Sequence, residues 1–248
     1  MQQGRFVIQE NRPLTKDVWE MTLAGDVSAF TRPGQFAQIR IPGRSLRRPI
    51  SVCRLEEGEL TLIYKVVGAG TGDMSRMVPG TALDLLTGLG NGFDPGASGD
   101  RPVLIGGGVG VPPLYELARI LVQAGRNVTV ILGFNTSEEI FYLTEFEALG
   151  ARVRLATADG SAGVQGFVTS ALRPEDRFTR AYACGPEPML RAVSEALDCP
   201  CSLSFESRMG CGFGACMGCS CRTLTGYKRI CKEGPVLEKE EILWPTRA

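Results

Sequence analysis

The sequence predicts a multidomain β and α/β protein: a small antiparallel β-barrel, a doubly wound parallel-sheet domain and a short cysteine-rich segment, in that order along 248 residues. Three observations carry this expectation. Residues 1–98 break into short, evenly spaced apolar runs. From Pro102 strand-like runs alternate with helix-like ones. Cys211, Cys216, Cys219 and Cys231 then gather at the C-terminal end.

The barrel rests on the runs Arg5–Ile8, Val18–Leu23, Gln35–Ile41, Ile50–Leu55, Leu60–Val67 and Ala82–Leu86, separated by Pro33-Gly34, Pro42-Gly43, Glu57-Gly58 and Pro79-Gly80. Short strands punctuated by turn residues at this spacing close on themselves. Three stretches within them could carry chemistry: Arg47-Arg48-Pro49-Ile50-Ser51, Ile63-Tyr64-Lys65 and Gly68-Ala69-Gly70-Thr71-Gly72. Arg48 and Ser51, at the start of a strand, can both address a phosphate, one by charge-assisted bonds and one by its hydroxyl. Glycines around Thr71 let backbone amides meet a second phosphate. Taken alone, Arg48 is more often a solvated surface charge and Gly70 a turn.

Gly96–Asp100 reads as a linker, after which the period changes. Pro102–Ile105 is a wholly apolar strand, followed by Gly106-Gly107-Gly108-Val109-Gly110 and a helix from about Pro113 to Ala124. A strand, a glycine turn and a Pro-led helix make a place where a pyrophosphate can sit on backbone amides. The same rhythm continues with strands at Val128–Phe134, Val153–Ala156 and Ala181–Cys184, and helices at Phe141–Leu149, Val168–Leu172 and Glu187–Leu197. Such alternation indicates a parallel, doubly wound sheet over residues 99–200. Cys184 ends a strand where ligands of such sheets bind, so it is placed to border a bound nicotinamide; a buried thiol closing a strand fits the local sequence equally well. Thr157–Ser161 reads as an Asp-Gly turn.

A last strand, Ser202–Phe205, leads into residues 201–248 and the run Cys211-x4-Cys216-x2-Cys219, answered by Cys231. That is the plant-type spacing for a [2Fe-2S] cluster. Gly210, Gly212, Gly214, Ala215 and Gly218 suit a tight loop whose amides turn toward sulfur. A structural zinc site or two disulfides are the alternatives, although zinc sites usually pair C-x2-C on both sides. Cys221 is a spare thiol that could replace a neighbouring ligand.

Composition narrows the field. Lys plus Arg and Asp plus Glu are each 27, without a strongly basic run, so nucleic acid is not an expected partner. No stretch approaches a membrane span or a secretory signal, and a soluble cytoplasmic protein is expected. There is no histidine, which excludes a Ser-His-Asp triad and His-ligated zinc and directs attention to cofactor chemistry.

The order Arg48-Pro49-Ile50-Ser51, Ile63-Tyr64-Lys65, Gly70-Thr71, Gly106–Pro113, Cys184-Gly185-Pro186 and Glu206–Cys211 resembles the ferredoxin-reductase-like flavoproteins. Within them it is most similar to the electron-transfer subunits of NAD-dependent, class 1B dihydroorotate dehydrogenases. The resemblance implies FAD held by Arg48, Pro49, Ile50, Ser51, Ile63, Tyr64, Lys65, Gly70 and Thr71. It implies NAD at Gly106, Gly107, Gly108 and Gly110, and a [2Fe-2S] cluster on Cys211, Cys216, Cys219 and Cys231. It also implies an FMN-containing catalytic partner that oxidises dihydroorotate to orotate, assembled as a heterotetramer of two plus two chains. The short gap between Cys219 and Cys231 departs from the family pattern. An electron-transfer subunit of another NAD(P)H-linked complex, such as a bifurcating ferredoxin:NADP oxidoreductase or a sulfhydrogenase, is the alternative within redox chemistry. A self-contained reductase and a zinc-stabilised interaction module are the others.

Overall fold

The structure, a computed structural model, describes residues 1–244; the last four residues of the expected 201–248 segment lie outside the described residues. β1 (Gln2–Pro13), β2 (Val18–Ala24), β3 (Phe36–Ile39), β4 (Arg48–Glu56), β5 (Glu59–Lys65) and β6 (Ala82–Leu89) close into an antiparallel barrel in the order β1-β2-β5-β4-β3-β6. Period-two alternation makes it: Phe6 and Ile8, Met21 and Leu23, Ala37 and Ile39, and Leu83 and Leu85 all turn inward. A short helix, α1 (Ala69–Met74), follows β5; too short and glycine-rich for a helical pattern, it is not legible in the sequence.

The second unit is built on β7 (Pro102–Gly107), β8 (Thr129–Phe134), β9 (Arg152–Thr157), β10 (Val164–Gln165), β11 (Arg180–Cys184) and β12 (Cys201–Ser204), all paired parallel. α2 (Pro112–Gln123) and α3 (Leu143–Ala148) cover one face, burying Leu114, Leu117, Leu121 and Phe146 with Leu104, Val130 and Leu132. α4 (Glu187–Ala196) and a single turn at Val168–Ala171 cover the other with Val103, Ile105 and Ile131. Burial on both faces explains the uninterrupted apolar run of β7. The strand order reverses between β7 and β11, and the crevice beyond their carboxyl ends is where such sheets take ligands.

After β12 the chain forms the cysteine loop, a hairpin of β13 (Ser220–Thr223) and β14 (Gly226–Arg229), and β15 (Val236–Glu238), which returns antiparallel to β12. The sheet therefore runs β10-β9-β8-β7-β11-β12-β15 and extends past residue 200. Barrel and sheet share one apolar core, in which Val18, Cys53 and Ile63 meet Val111, Tyr142 and Cys184. Polar contacts close the same seam. The Tyr142 hydroxyl donates to Glu20 Oε2 at 2.6 Å, Leu55 N donates to Glu116 Oε2 at 3.2 Å, and the Tyr182 hydroxyl donates to the Asp94 carbonyl at 2.7 Å. Among the described residues no helix is long and apolar enough to cross a membrane.

Candidate redox cofactor sites

The cysteine loop is bent by Gly212 (φ +79°) and Gly214 (φ +93°), and its amides turn inward as a result. Ala215 N and Cys216 N donate to Cys211 Sγ at 3.2 and 3.4 Å, and Cys231 N donates to Cys219 Sγ at 3.4 Å. Desolvation acts to raise the Cys211 thiol, but the amides of Cys216, Phe213 and Ala215 outweigh it and bring the thiol down to about 6. Burial, and then the neighbouring Cys219, push Cys231 up to about 12. The four predicted ligands stand as two pairs, Cys211 with Cys216 and Cys219 with Cys231, each joined by an amide-to-sulfur hydrogen bond; among the described residues no three of them are drawn together as a single metal-binding group. Cys216 is exposed, whereas Cys219 and Cys231 are buried. Two thiol pairs with amides aimed at sulfur fit a binuclear cluster held by four thiolates. Cys221 lies on β13 opposite Lys228 and packs, half-buried, against the apolar cluster that holds Cys219 and Cys231.

The loop is anchored by residues that spacing arguments do not reveal. Arg229 Nη1 donates to the Gly214 carbonyl at 2.8 Å while its Nε holds Glu233 at 2.9 Å. Asn91, just beyond the barrel, donates to the Glu233 and Val236 carbonyls at 3.0 and 2.7 Å and accepts from Val236 N at 3.1 Å. Gln38 on β3 lies fully buried beneath Gly212.

On the barrel, β4 begins at Arg48, two residues earlier than the apolar run suggests. The Arg48 guanidinium folds over Gly70: a Cβ there would stand 2.2 Å from its Nε, so the arginine lies in the space that a side chain would fill. Arg48 Nη1 also donates to the Leu46 carbonyl at 2.7 Å. Two of the predicted flavin motifs are therefore brought together, and a cationic group lies against the start of α1. Thr71 serves the turn itself, its Oγ1 accepting from Val67 N at 3.0 Å and Gly68 N at 3.3 Å. Pro49 and Ser51 face outward opposite Gln38 and Phe36, whereas Ile50 packs toward the barrel core. Ile63 turns to the seam with the sheet domain, and Lys65 pairs with Asp17 at 3.0 Å. Tyr64 points into the barrel, its hydroxyl donating to Asn11 Oδ1 at 2.9 Å. It thus offers a ligand its backbone rather than its ring.

At the sheet's switch point the glycines are required by close packing. A Cβ on Gly110 would lie 2.2 Å from the Cys184 carbonyl oxygen, one on Gly107 2.5 Å from Met189 Sδ, and one on Gly106 2.9 Å from Val111 Cγ2. Gly108 (φ +52°) faces open space. Val111 N donates to the Gly108 carbonyl and Leu114 N to that of Val111, while Pro112 and Pro113 have no amide. Anion-binding donors are therefore left to the glycine turn rather than to the helix end. Cys184 is buried beside this turn, and burial, then Glu206, push its thiol up to about 12. It is protonated near neutrality and suited to packing or to bordering a ligand.

A basic turn on a barrel, a glycine turn at a switch point and a four-cysteine segment packed against the barrel define a ferredoxin-reductase-type electron-transfer protein. Residues 206–243 match the iron-sulfur cluster binding domain of dihydroorotate dehydrogenase B, and residues 104–195 match the oxidoreductase NAD-binding domain. The dihydroorotate dehydrogenase B (NAD(+)) electron transfer subunit of Geobacillus sp. (strain WCH70) is 43% identical over 98% of this chain and 99% of its own. That of Bacillus caldolyticus is 41% identical over 96% and 98%. The solved structure of an NADH-dependent reduced ferredoxin-NADP oxidoreductase superposes with a TM-score of 0.88 at 31% identity, over 96% of this chain and 90% of that one. The chain belongs to the family of dihydroorotate dehydrogenase B (NAD(+)) electron transfer subunits.

Proposed function

We propose that this chain passes electrons from a catalytic subunit, which oxidises dihydroorotate to orotate with its FMN, to NAD+ in pyrimidine synthesis. The observation that carries the reading is the adjacency of three sites in one chain: the four-thiol loop packs on β3 and β6 of the barrel through Phe36, Leu89, Cys219 and Cys231, and the glycine turn meets the barrel across the Cys184 seam. When bound, FAD exchanges an electron pair with nicotinamide and single electrons with a [2Fe-2S] cluster, which is why a chain joining the two needs it.

The residues bind and orient. Arg48 and Ser51 hold the FAD phosphates, and Pro49, Ile50, Ile63, Tyr64, Lys65, Gly70 and Thr71 complete the flavin wall. Gly106, Gly107, Gly108 and Gly110 receive the NAD pyrophosphate, and buried Cys184 borders the nicotinamide. Cys211, Cys216, Cys219 and Cys231 ligate the cluster. Exposed Cys216 and the neighbouring exposed Phe213 and Met217 form an apolar rim that the partner covers, bringing its flavin to the cluster. Residues 1–98, 99–200 and 201–248 divide these tasks, and two such chains serve two catalytic subunits.

Anaerobically purified protein is expected to carry flavin and about two irons per chain, and with the catalytic subunit to reduce NAD+ at the expense of dihydroorotate. Arg48→Ala lowers FAD affinity by about ten- to a hundredfold, the loss of one charge-assisted contact; an unchanged flavin ratio and affinity would remove that assignment. The 31% identity to a reduced ferredoxin-NADP oxidoreductase favours one second reading, service to a ferredoxin-linked complex. Ferredoxin-dependent turnover without the dihydroorotate-oxidising partner would establish it instead.

A further inference from the structure

We propose that Gln38 donates a side-chain hydrogen bond to the sulfur shell of the iron-sulfur cluster and thereby raises the cluster's reduction potential. The inference rests on the reading of the cysteine loop as a cluster site and adds to it a residue from another domain of the chain. β3 alternates, sending Ala37 and Ile39 into the barrel core and Phe36 and Gln38 to the outside. An outward glutamine on a barrel is normally solvated. Gln38 is instead fully buried, because the cysteine loop lies on top of it.

Among the described residues neither Nε2 nor Oε1 of Gln38 has a hydrogen-bond partner. A buried amide left unpaired costs about 1–3 kcal/mol, which an apolar side chain of the same length would avoid. The strand that carries the amide is fixed. Arg47 Nη1 donates to the backbone carbonyls of Gln38 at 3.3 Å and Asp84 at 2.9 Å, and the cross-strand neighbours on either side are Pro49 and Leu86. Nε2, the donor end, meets the loop: a Cβ at Gly212 would stand 2.1 Å from it, and Gly212 adopts φ +79°. Cys211, whose Sγ already accepts the Ala215 and Cys216 amides, immediately precedes this glycine. Cluster sulfurs are hydrogen-bond acceptors, and an N–H group aimed among them completes the orphaned amide. Such a bond strengthens when the cluster gains negative charge, so it favours the reduced state.

The test uses holoprotein purified without oxygen, with iron and flavin quantified, and potentiometric titrations that follow the cluster by electron paramagnetic resonance and the flavin by absorbance. Gln38→Met keeps the side-chain length and removes both polar atoms. It is expected to retain iron and flavin and to lower the cluster midpoint potential by up to about 59 mV, a tenfold change in a one-electron equilibrium, leaving the flavin couple in place. Gln38→Glu, which presents a negative charge instead of a donor, is expected to lower it further, and it carries the measurement by itself if the methionine variant loads no iron. Unshifted cluster potentials in iron-replete variants overturn the proposal, as does a shift confined to the flavin, which would hand the amide to FAD. Wild-type protein that binds flavin but no iron would instead overturn the cluster reading itself.

Discussion

The two glycine-rich turns of this chain use the same residue for different reasons. In the nucleotide turn, the missing Cβ of Gly110 makes room for backbone, the Cys184 carbonyl and Gly185 Cα. In the cysteine loop, the missing Cβ atoms of Gly212 and Gly214 face long side chains, those of Gln38, Lys232 and Arg229, and both residues adopt positive φ. Backbone cannot step aside, whereas a glutamine or lysine can. The nucleotide turn is therefore intolerant because of what surrounds it, and the cluster loop because of its own curvature.

Substitutions can sharpen or break that contrast. The largest effect belongs to the ligands: Cys231→Ala is expected to lose the cluster iron while Cys221→Ala keeps it, as iron analysis of both will report, and the reverse pattern would make Cys221 the fourth ligand. Next, Gly110→Ala pushes a methyl into the Cys184 carbonyl and is expected to destabilise by about 3 kcal/mol, with a lowered thermal midpoint and weakened NADH binding. Gly212→Ala should cost about 1–2 kcal/mol through its left-handed backbone, and Gly212→Asn less, because asparagine tolerates that region; equal losses for the two would shift the blame to the collision with Gln38. The smallest change is expected at Gly108, which faces open space at φ +52°. Gly108→Ala should cost about 1 kcal/mol in denaturant titrations and weaken NADH binding by its methyl in the open space where the pyrophosphate is received; an unchanged NADH affinity would remove Gly108 from that site.

Much of this architecture is legible in the sequence because it follows local rules. Turn residues delimit the six barrel strands, an apolar run marks β7, and thiol spacing marks the cluster loop. What is not legible depends on distant parts of the chain meeting. The hairpin β13-β14 is polar on both sides, so no alternation announces it. β15 is three residues long and becomes a strand only by pairing with β12. Asn91 looks like an ordinary turn residue until its amide is found fastening Glu233 and Val236. Gln38 shows the intermediate case. The alternation of Phe36-Ala37-Gln38-Ile39 places it on the outer wall, but only the fold reveals that this wall is covered. Tyr64 teaches the converse: it stands in a motif expected to hold FAD, while strand parity turns its ring into the barrel.

The return of β15 to the edge of the sheet bears on how the protein could be shortened. β12 is flanked by β11 on one side and by β15 on the other, with Leu203 opposite Leu237. Cutting the chain after β12 would strip the outer strand away and leave the edge groups of β12 open to pairing with another molecule. An iron-free version made by truncation is expected to self-associate, whereas one made by replacing the cysteines keeps its margin closed. The cluster-bearing tail is thus also the selvedge of the nucleotide-binding sheet, and a dissection of its electron path is best made by point substitution.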